Sequence, residues 1–226
     1  MTEFLFRPII APHLKDDYDI SSVNDFAGLA EDVPIMTPTA QLYGKARFAD
    51  KDLKPALALY YLKEMLGEKV FRDAMRYYIN TWAGKHPTPY DFFNCMNAGS
   101  NTNLNWYWRK WHFEKAVPDL AISTVTHVGE RYQIIIVNKG GAPLSVHLQV
   151  NLKEGHRILI TKTAEIWKNG KKTINIAFKQ KGVITKIKLG NAYDADINST
   201  DNTWIIKSRY NSSSKFTDFS QSRNMK

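Results

Sequence analysis

The residues of this 226-residue chain best suited to bind a metal, or to act as nucleophile and base, are six histidines (His13, His86, His112, His127, His147 and His156) and one cysteine, Cys95. No two histidines stand four apart, so no helix can turn two imidazoles toward one ion, and H-E-x-x-H is absent. His112 and Glu114 are two apart and would leave a helix on different sides. A lone thiol supports neither an intrachain disulfide nor a thiolate zinc site, and a buried, inert state is the expectation for Cys95. His147 and His156 fall in alternating segments and read as exposed strand residues. Neither G-x-S-x-G, a Walker loop nor a dinucleotide fingerprint occurs. A rival reading is an enzyme of unrecognised chemistry using Tyr43, Asp52 and His86, which a pocket where the three converge would favour.

The elements that would position these groups change character along the chain. Residues 1–53 carry weak periodicity and several turn formers, among them Pro34 and Pro38, as expected of loops packed on something else. From Lys54, with Pro55 in its first turn, Ala56 to Leu62 are apolar almost all round, the pattern of a helix covered on several sides. Gly67 should close it. A second helix carries Val70, Phe71, Ala74, Met75, Tyr78, Ile79 and Trp82. Thr88-Pro89-Tyr90-Asp91 opens a third, running to about Ala98. Asn103 caps a fourth, Leu104 to Glu114, which carries Trp106, Trp108 and Trp111. At Pro118 the period becomes two. Leu144 to Leu152, Ile174 to Phe178 and Val183 to Leu189 alternate, and about seven short strands ending near Trp204 predict a β-sandwich. Residues 206–226 read as a disordered polar tail.

With 43% hydrophobic residues, the chain can enclose a core. Thirty-one Lys plus Arg against 22 Asp plus Glu leave a net charge of +9. Much of the excess lies at Lys168, Lys171, Lys172, Lys179, Lys181, Lys186 and Lys188, where strands with one buried face turn it outward. Without a nucleic-acid module signature, nucleic acid is not expected as a partner; presentation of this basic face to an acidic partner, as a non-catalytic binding module, is the alternative reading. No apolar run approaches the roughly 18 residues of a membrane span. Met1 to Leu14 lack the basic start and small-residue cleavage site of a signal peptide. A soluble protein is expected, with its compartment open.

Several ordered segments carry a resemblance. Val33-Pro34-Ile35-Met36-Thr37-Pro38, Lys54-Pro55-Ala56-Leu57-Ala58-Leu59, Leu66-Gly67-Glu68-Lys69-Val70-Phe71, Lys85 to Phe93, Asn105-Trp106-Tyr107-Trp108-Arg109-Lys110-Trp111 and Pro118-Asp119-Leu120-Ala121-Ile122 resemble, in that order, the aminopeptidase N-type gluzincins, zinc metallopeptidases of peptidase family M-one, and most of all bacterial members of Bacteroides-like type. Ile166 to Gly170, Asp194-Ala195-Asp196 and Asn202-Thr203-Trp204 add a weaker match. The resemblance implies an α+β multidomain architecture: residues 1–117 as the helical end of a thermolysin-like catalytic domain and 118–205 as a β-sandwich. It implies a parent zinc enzyme acting on peptides and often exported in bacteria. In that family the two histidines of H-E-x-x-H and a further glutamate hold zinc, all upstream of the segment matching Val33, so this chain would begin after them and would hold no metal or cofactor of its own. The family's transition-state tyrosine would sit two residues before Lys54; here that position is Asp52, which cannot donate a hydrogen bond when ionised. Tyr43 is then the one catalytic candidate. Lys54, Pro55, Trp82, Trp106, Trp108 and Trp111 become structural anchors, the three clustered tryptophans packing the helices against the sandwich, and Arg109 reads as solvated. The helical half is expected to need a partner, either an upstream catalytic half or a second copy.

Overall fold

The computed structural model describes residues 23–206. The polar tail read beyond residue 206 and the segment Met1 to Leu14 lie outside the described residues. Two short turns, Ala46–Phe48 and the π-turn Ala49–Leu53, lead into helix α1 (Lys54–Leu66), followed by α2 (Glu68–Trp82), α3 (Pro89–Ser100) and α4 (Asn105–Trp108), which a second π-turn, Arg109–Phe113, prolongs. Each boundary has a local cause. Pro55 occupies the first turn of α1, where a missing N–H costs nothing. Gly67, at φ 78°, ends α1 by donating its N–H to the Lys63 carbonyl at 2.9 Å. Thr88 and Asp91 form a reciprocal capping box on α3. The Asn103 side chain accepts the Asn105 N–H at 3.0 Å.

Helix α1 is covered from within the chain. Leu57, Ala58, Leu59, Tyr61 and Leu62 are all buried, α2 and the turn Ala164–Gly170 pack on it, and Tyr61 stacks on Trp111 with ring centres 6.4 Å apart. Helix α2 is less buried than its pattern suggests: Phe71 and Ala74 are enclosed, while Val70 and Ile79 face solvent. The tryptophans divide their work. Trp108 packs inside the helical layer instead of against the sandwich, stacked on Phe93 at 4.9 Å and donating Nε1–H to Asn97 Oδ1 at 3.0 Å. Trp111 reaches Tyr61, Trp106 is half-buried, and Trp82 is half-buried beneath the Lys85 ammonium, 5.8 Å from its ring.

The sandwich comprises β1 (Leu120–Val128), β2 (Arg131–Asn138), β3 (Val146–Leu152), β4 (Arg157–Lys162), β5 (Thr173–Lys179), β6 (Ile184–Leu189) and β7 (Thr203–Ile205). They pair antiparallel in two sheets, ordered β1-β2-β5 and β4-β3-β6-β7. Val146, Leu148 and Val150 of one sheet and Ile134 and Ile136 of the other are nearly or wholly inaccessible to water, each contributing about 1.5–3 kcal/mol of burial. One apolar cluster runs from this interior into the helices, joining Leu144, Trp167 and Ala195 to Leu57, Tyr61 and Trp111.

The chain passes from helices to sheets through Val117. Its N–H donates to the Gly140 carbonyl at 3.1 Å, and its own carbonyl accepts the Ala142 N–H at 3.2 Å. A methyl group at Gly140 would overlap that Val117 carbonyl, and backbone meeting backbone has no flexible end to yield. Gly140→Ala is therefore expected to lower the unfolding free energy by about 1–3 kcal/mol, read from the urea midpoint; an unchanged midpoint would show that this crossing adjusts freely.

Candidate functional site

Titratable side chains converge where α1 crosses the sandwich. The alternation of β3 sends Val146, Leu148 and Val150 inward and His147 to the opposite face, and α1 lies over that face, presenting Tyr61 and Glu64 one turn apart. His147 Nδ1 stands 2.8 Å from Asp194 Oδ2 and 3.0 Å from Oδ1, while Nε2 is 3.6 Å from Glu64 Oε1. The Tyr61 hydroxyl donates to Asp194 Oδ1 at 3.2 Å, and the Asn191 N–H donates to Oδ2 at 2.9 Å. One carboxylate thus ties together a helix, a strand and a loop. His147 is not the exposed strand residue that alternation suggests: its side chain is 16% accessible. A cavity of about 180 Å³ adjoins the network, with Tyr61, Ser145, Asn191 and Asp194 in its wall.

The two carboxylates decide the chemistry. The hydrogen bond to Asp194, then Glu64, raise the His147 pKa to about 10 against the cost of burial, so the ring is an imidazolium at neutral pH. Burial would raise the Glu64 carboxyl; the His147 ring, with the Ser145 and Tyr60 hydroxyls beside it, outweighs this and holds it below its ordinary value. Burial foremost, and then the Asp194 charge, push the Tyr61 phenol well above its ordinary range. An imidazolium with both N–H groups aimed at carboxylates has no lone pair with which to take a proton from the buried Ser145. Ser145, His147 and Asp194 therefore form an ion-paired clasp, not a nucleophilic triad.

A second buried network sits at the start of α1. Lys54 is 1% accessible, its Nζ 2.5 Å from Asp32 Oδ1 and 3.2 Å from Asp50 Oδ1, with both carboxylates out of reach of water. Asp32 Oδ2 accepts the Gly28 N–H at 2.6 Å and Asp50 Oδ2 the Val33 N–H at 3.2 Å, which straps the preceding loop onto the helix. Burial raises the Asp50 pKa, and the Lys54 ammonium offsets part of the rise.

The residues singled out by type alone lie elsewhere. Tyr43 is a loop residue 71% exposed, Asp52 is exposed beside Lys51 at 3.5 Å, and His86 is exposed between α2 and α3. No hydrogen bond or ion pair joins these three among the described residues. His112 is buried against Phe93 and Trp108, and burial lowers its pKa to about 4, leaving a neutral ring. Arg109, read as solvated, is exposed but pairs with Glu114 Oε1 at 3.0 Å. Cys95 is buried. The sequence singled out neither Glu64, Asp32 nor Asp50, and Asp194 only as part of a motif match with no role; the i, i+4 spacing of Asp50 and Lys54 was the one signal available for the charge pairs.

Among the described residues, no three or more of His, Cys, Asp and Glu are grouped to hold a metal ion. Glu64 and Asp194 stand against different ring nitrogens of His147, Nε2 and Nδ1, so the three do not surround one point where an ion could sit. Among the same residues no helix is long and apolar enough to cross a membrane.

No family model matches the chain. Over 70 residues, 31% of this chain and 8% of the relative, it is 36% identical to aminopeptidase N of Haemophilus influenzae. The crystal structure of Legionella pneumophila aminopeptidase A in complex with aspartic acid has a similar fold, with a TM-score of 0.58 and 17% identity over 85% of this chain and 22% of that one. The chain spans less than a quarter of the length of either protein. Aminopeptidases therefore supply both likenesses, one in sequence over 31% of the chain and one in fold over 85% of it.

Proposed function

We propose that this chain is a scaffold portion of a zinc aminopeptidase of the gluzincin kind, a helical end of the catalytic domain braced by its β-sandwich, and that it is inactive by itself. The observation that carries the reading is the 36% identity to an aminopeptidase N over 70 residues, since the ordered motifs between Val33 and Ile122 are scaffold residues and not zinc ligands. The structure suits the role: Lys54 anchors a helix start, Tyr61 and Trp111 stack at the layer boundary, and His147 clasps the helix to the sheet. In a complete enzyme the helices would back one wall of a peptide groove and the sandwich would hold them rigid. Zinc and the general-base glutamate would come from outside this chain, and activation of water would belong to that metal.

The test is direct. The purified chain is expected to contain no stoichiometric zinc by elemental analysis after dialysis against the metal, and to release no product from aminoacyl-anilides. Zinc at one per chain, together with hydrolysis that a chelator abolishes, would overturn the reading.

A further inference from the structure

A second cleft, of about 250 Å³, opens between the helices and the sandwich. The end of the helical layer gives it Lys110, Glu114 and Lys115, the β2–β3 connection gives Lys139, and the strand-side wall gives Lys171 and Lys172. Its lining thus includes five lysines and one acidic residue, Glu114, whose carboxylate is already taken by Lys110 at 2.5 Å and Arg109 at 3.0 Å. Lys139 is held by Asp201 at 2.5 Å, and Lys115 donates to the Leu29 carbonyl at 2.6 Å. Lys171 and Lys172 are exposed, and their ammonium groups meet no acceptor among the described residues. The half-buried Trp106 ring lines the same cleft, an apolar wall beside uncompensated positive charge.

We propose that this cleft docks an acidic peptide segment, one aspartate or glutamate side chain seating its carboxylate at Lys171 and Lys172 with its stem against Trp106. The distribution of the other lysines favours a peptide over a nucleic acid. Along β5, Thr173 pairs with Val137 at one end and Lys179 with Arg131 at the other, so Lys179 and Lys181 lie about 20 Å from Lys172. Lys186 and Lys188 belong to the other sheet. Among the described residues these lysines form no continuous track along which successive phosphates could run, and a cleft of this size admits a side chain or two. The site is independent of the scaffold reading: a chain without zinc can hold a peptide, and one that holds zinc can still lack this site.

The test is an anisotropy titration of the full chain with a fluorescein-labelled peptide of alternating glutamate and alanine, beside its glutamine counterpart and an oligothymidylate of equal charge. The glutamate peptide is expected to bind, more tightly than the other two, and to weaken with added salt. Lys171→Glu combined with Lys172→Glu should weaken it by about tenfold or more, whereas Lys186→Glu with Lys188→Glu, the same change in net charge on exposed strand positions, should leave it within about twofold. Equal losses from the two pairs would mean attraction by net charge alone and would overturn the proposal. So would tighter binding of the oligothymidylate, equal binding of the glutamine peptide, or no binding of the glutamate peptide.

Discussion

Lys54→Met is expected to cost about 3–5 kcal/mol of folding free energy, as removal of one partner from a buried ion pair does. The substitution keeps much of the stem's bulk but leaves the Asp32 and Asp50 carboxylates enclosed without the ammonium that sits 2.5 and 3.2 Å from them. Each still accepts a backbone N–H, too little to compensate two buried charges. Burial already raises the Asp50 pKa with Lys54 in place, so without the cation a proton is the cheapest remedy, and the variant should recover part of its loss in acid. Adding Asp50→Asn to Lys54→Met should restore part of the stability at neutral pH. Urea denaturation of the parent, single and double variants measures all of this; a single variant within about 1 kcal/mol of the parent would show that water reaches the cluster.

His147→Gln should remove a pH dependence as well as stability. The folded pKa of His147, about 10, lies above its ordinary 6.5, so the clasp's contribution is complete below pH 6.5 and is lost as the pH rises through the folded value. Glu64 is shifted downward from 4.5; its share is present above that pH and fades as the pH falls through the folded value. The clasp is therefore fully made at about pH 5–6. Allowing for the solvent access that His147 keeps, the gap in unfolding free energy between parent and variant should shrink by about 3 kcal/mol from pH 6 to pH 10. A gap that stays constant over this range would mean that His147 is neutral in the folded protein and that Asp194 holds it by an ordinary hydrogen bond.

Much of the architecture was legible because it follows from local chemistry. Thr88 and Asp91 announce a helix start in their side chains, and the change of period at Pro118 marks the passage from helices to strands before any contact is known. Alternation also places His147 correctly on the face away from the sandwich interior. It cannot say what lies over that face, and the residue that reads as solvated is the one α1 covers. The same limit hid Asp194, more than forty residues from His147, and Asp32, more than twenty from Lys54: ion pairs closed by the fold leave no spacing in the sequence. The face of α1 was the converse case. Its apolar composition correctly demands a cover, but composition does not say whose surface supplies it, and the turn at Ala164–Gly170 with Trp111 does.

The π-turn Arg109–Phe113 explains why Trp108 and Trp111, three apart, serve different neighbours. In a regular helix, residues three apart share a face. A widened turn closes its hydrogen bond one residue later than an α-turn, so each residue inside it advances by a smaller angle about the axis and three of them fall further from one shared face. The turn acts as a phase shifter, leaving Trp108 on α3 while aiming Trp111 at Tyr61. Two aromatic anchors on one short stretch thereby grip two different neighbours at once, Phe93 and Tyr61.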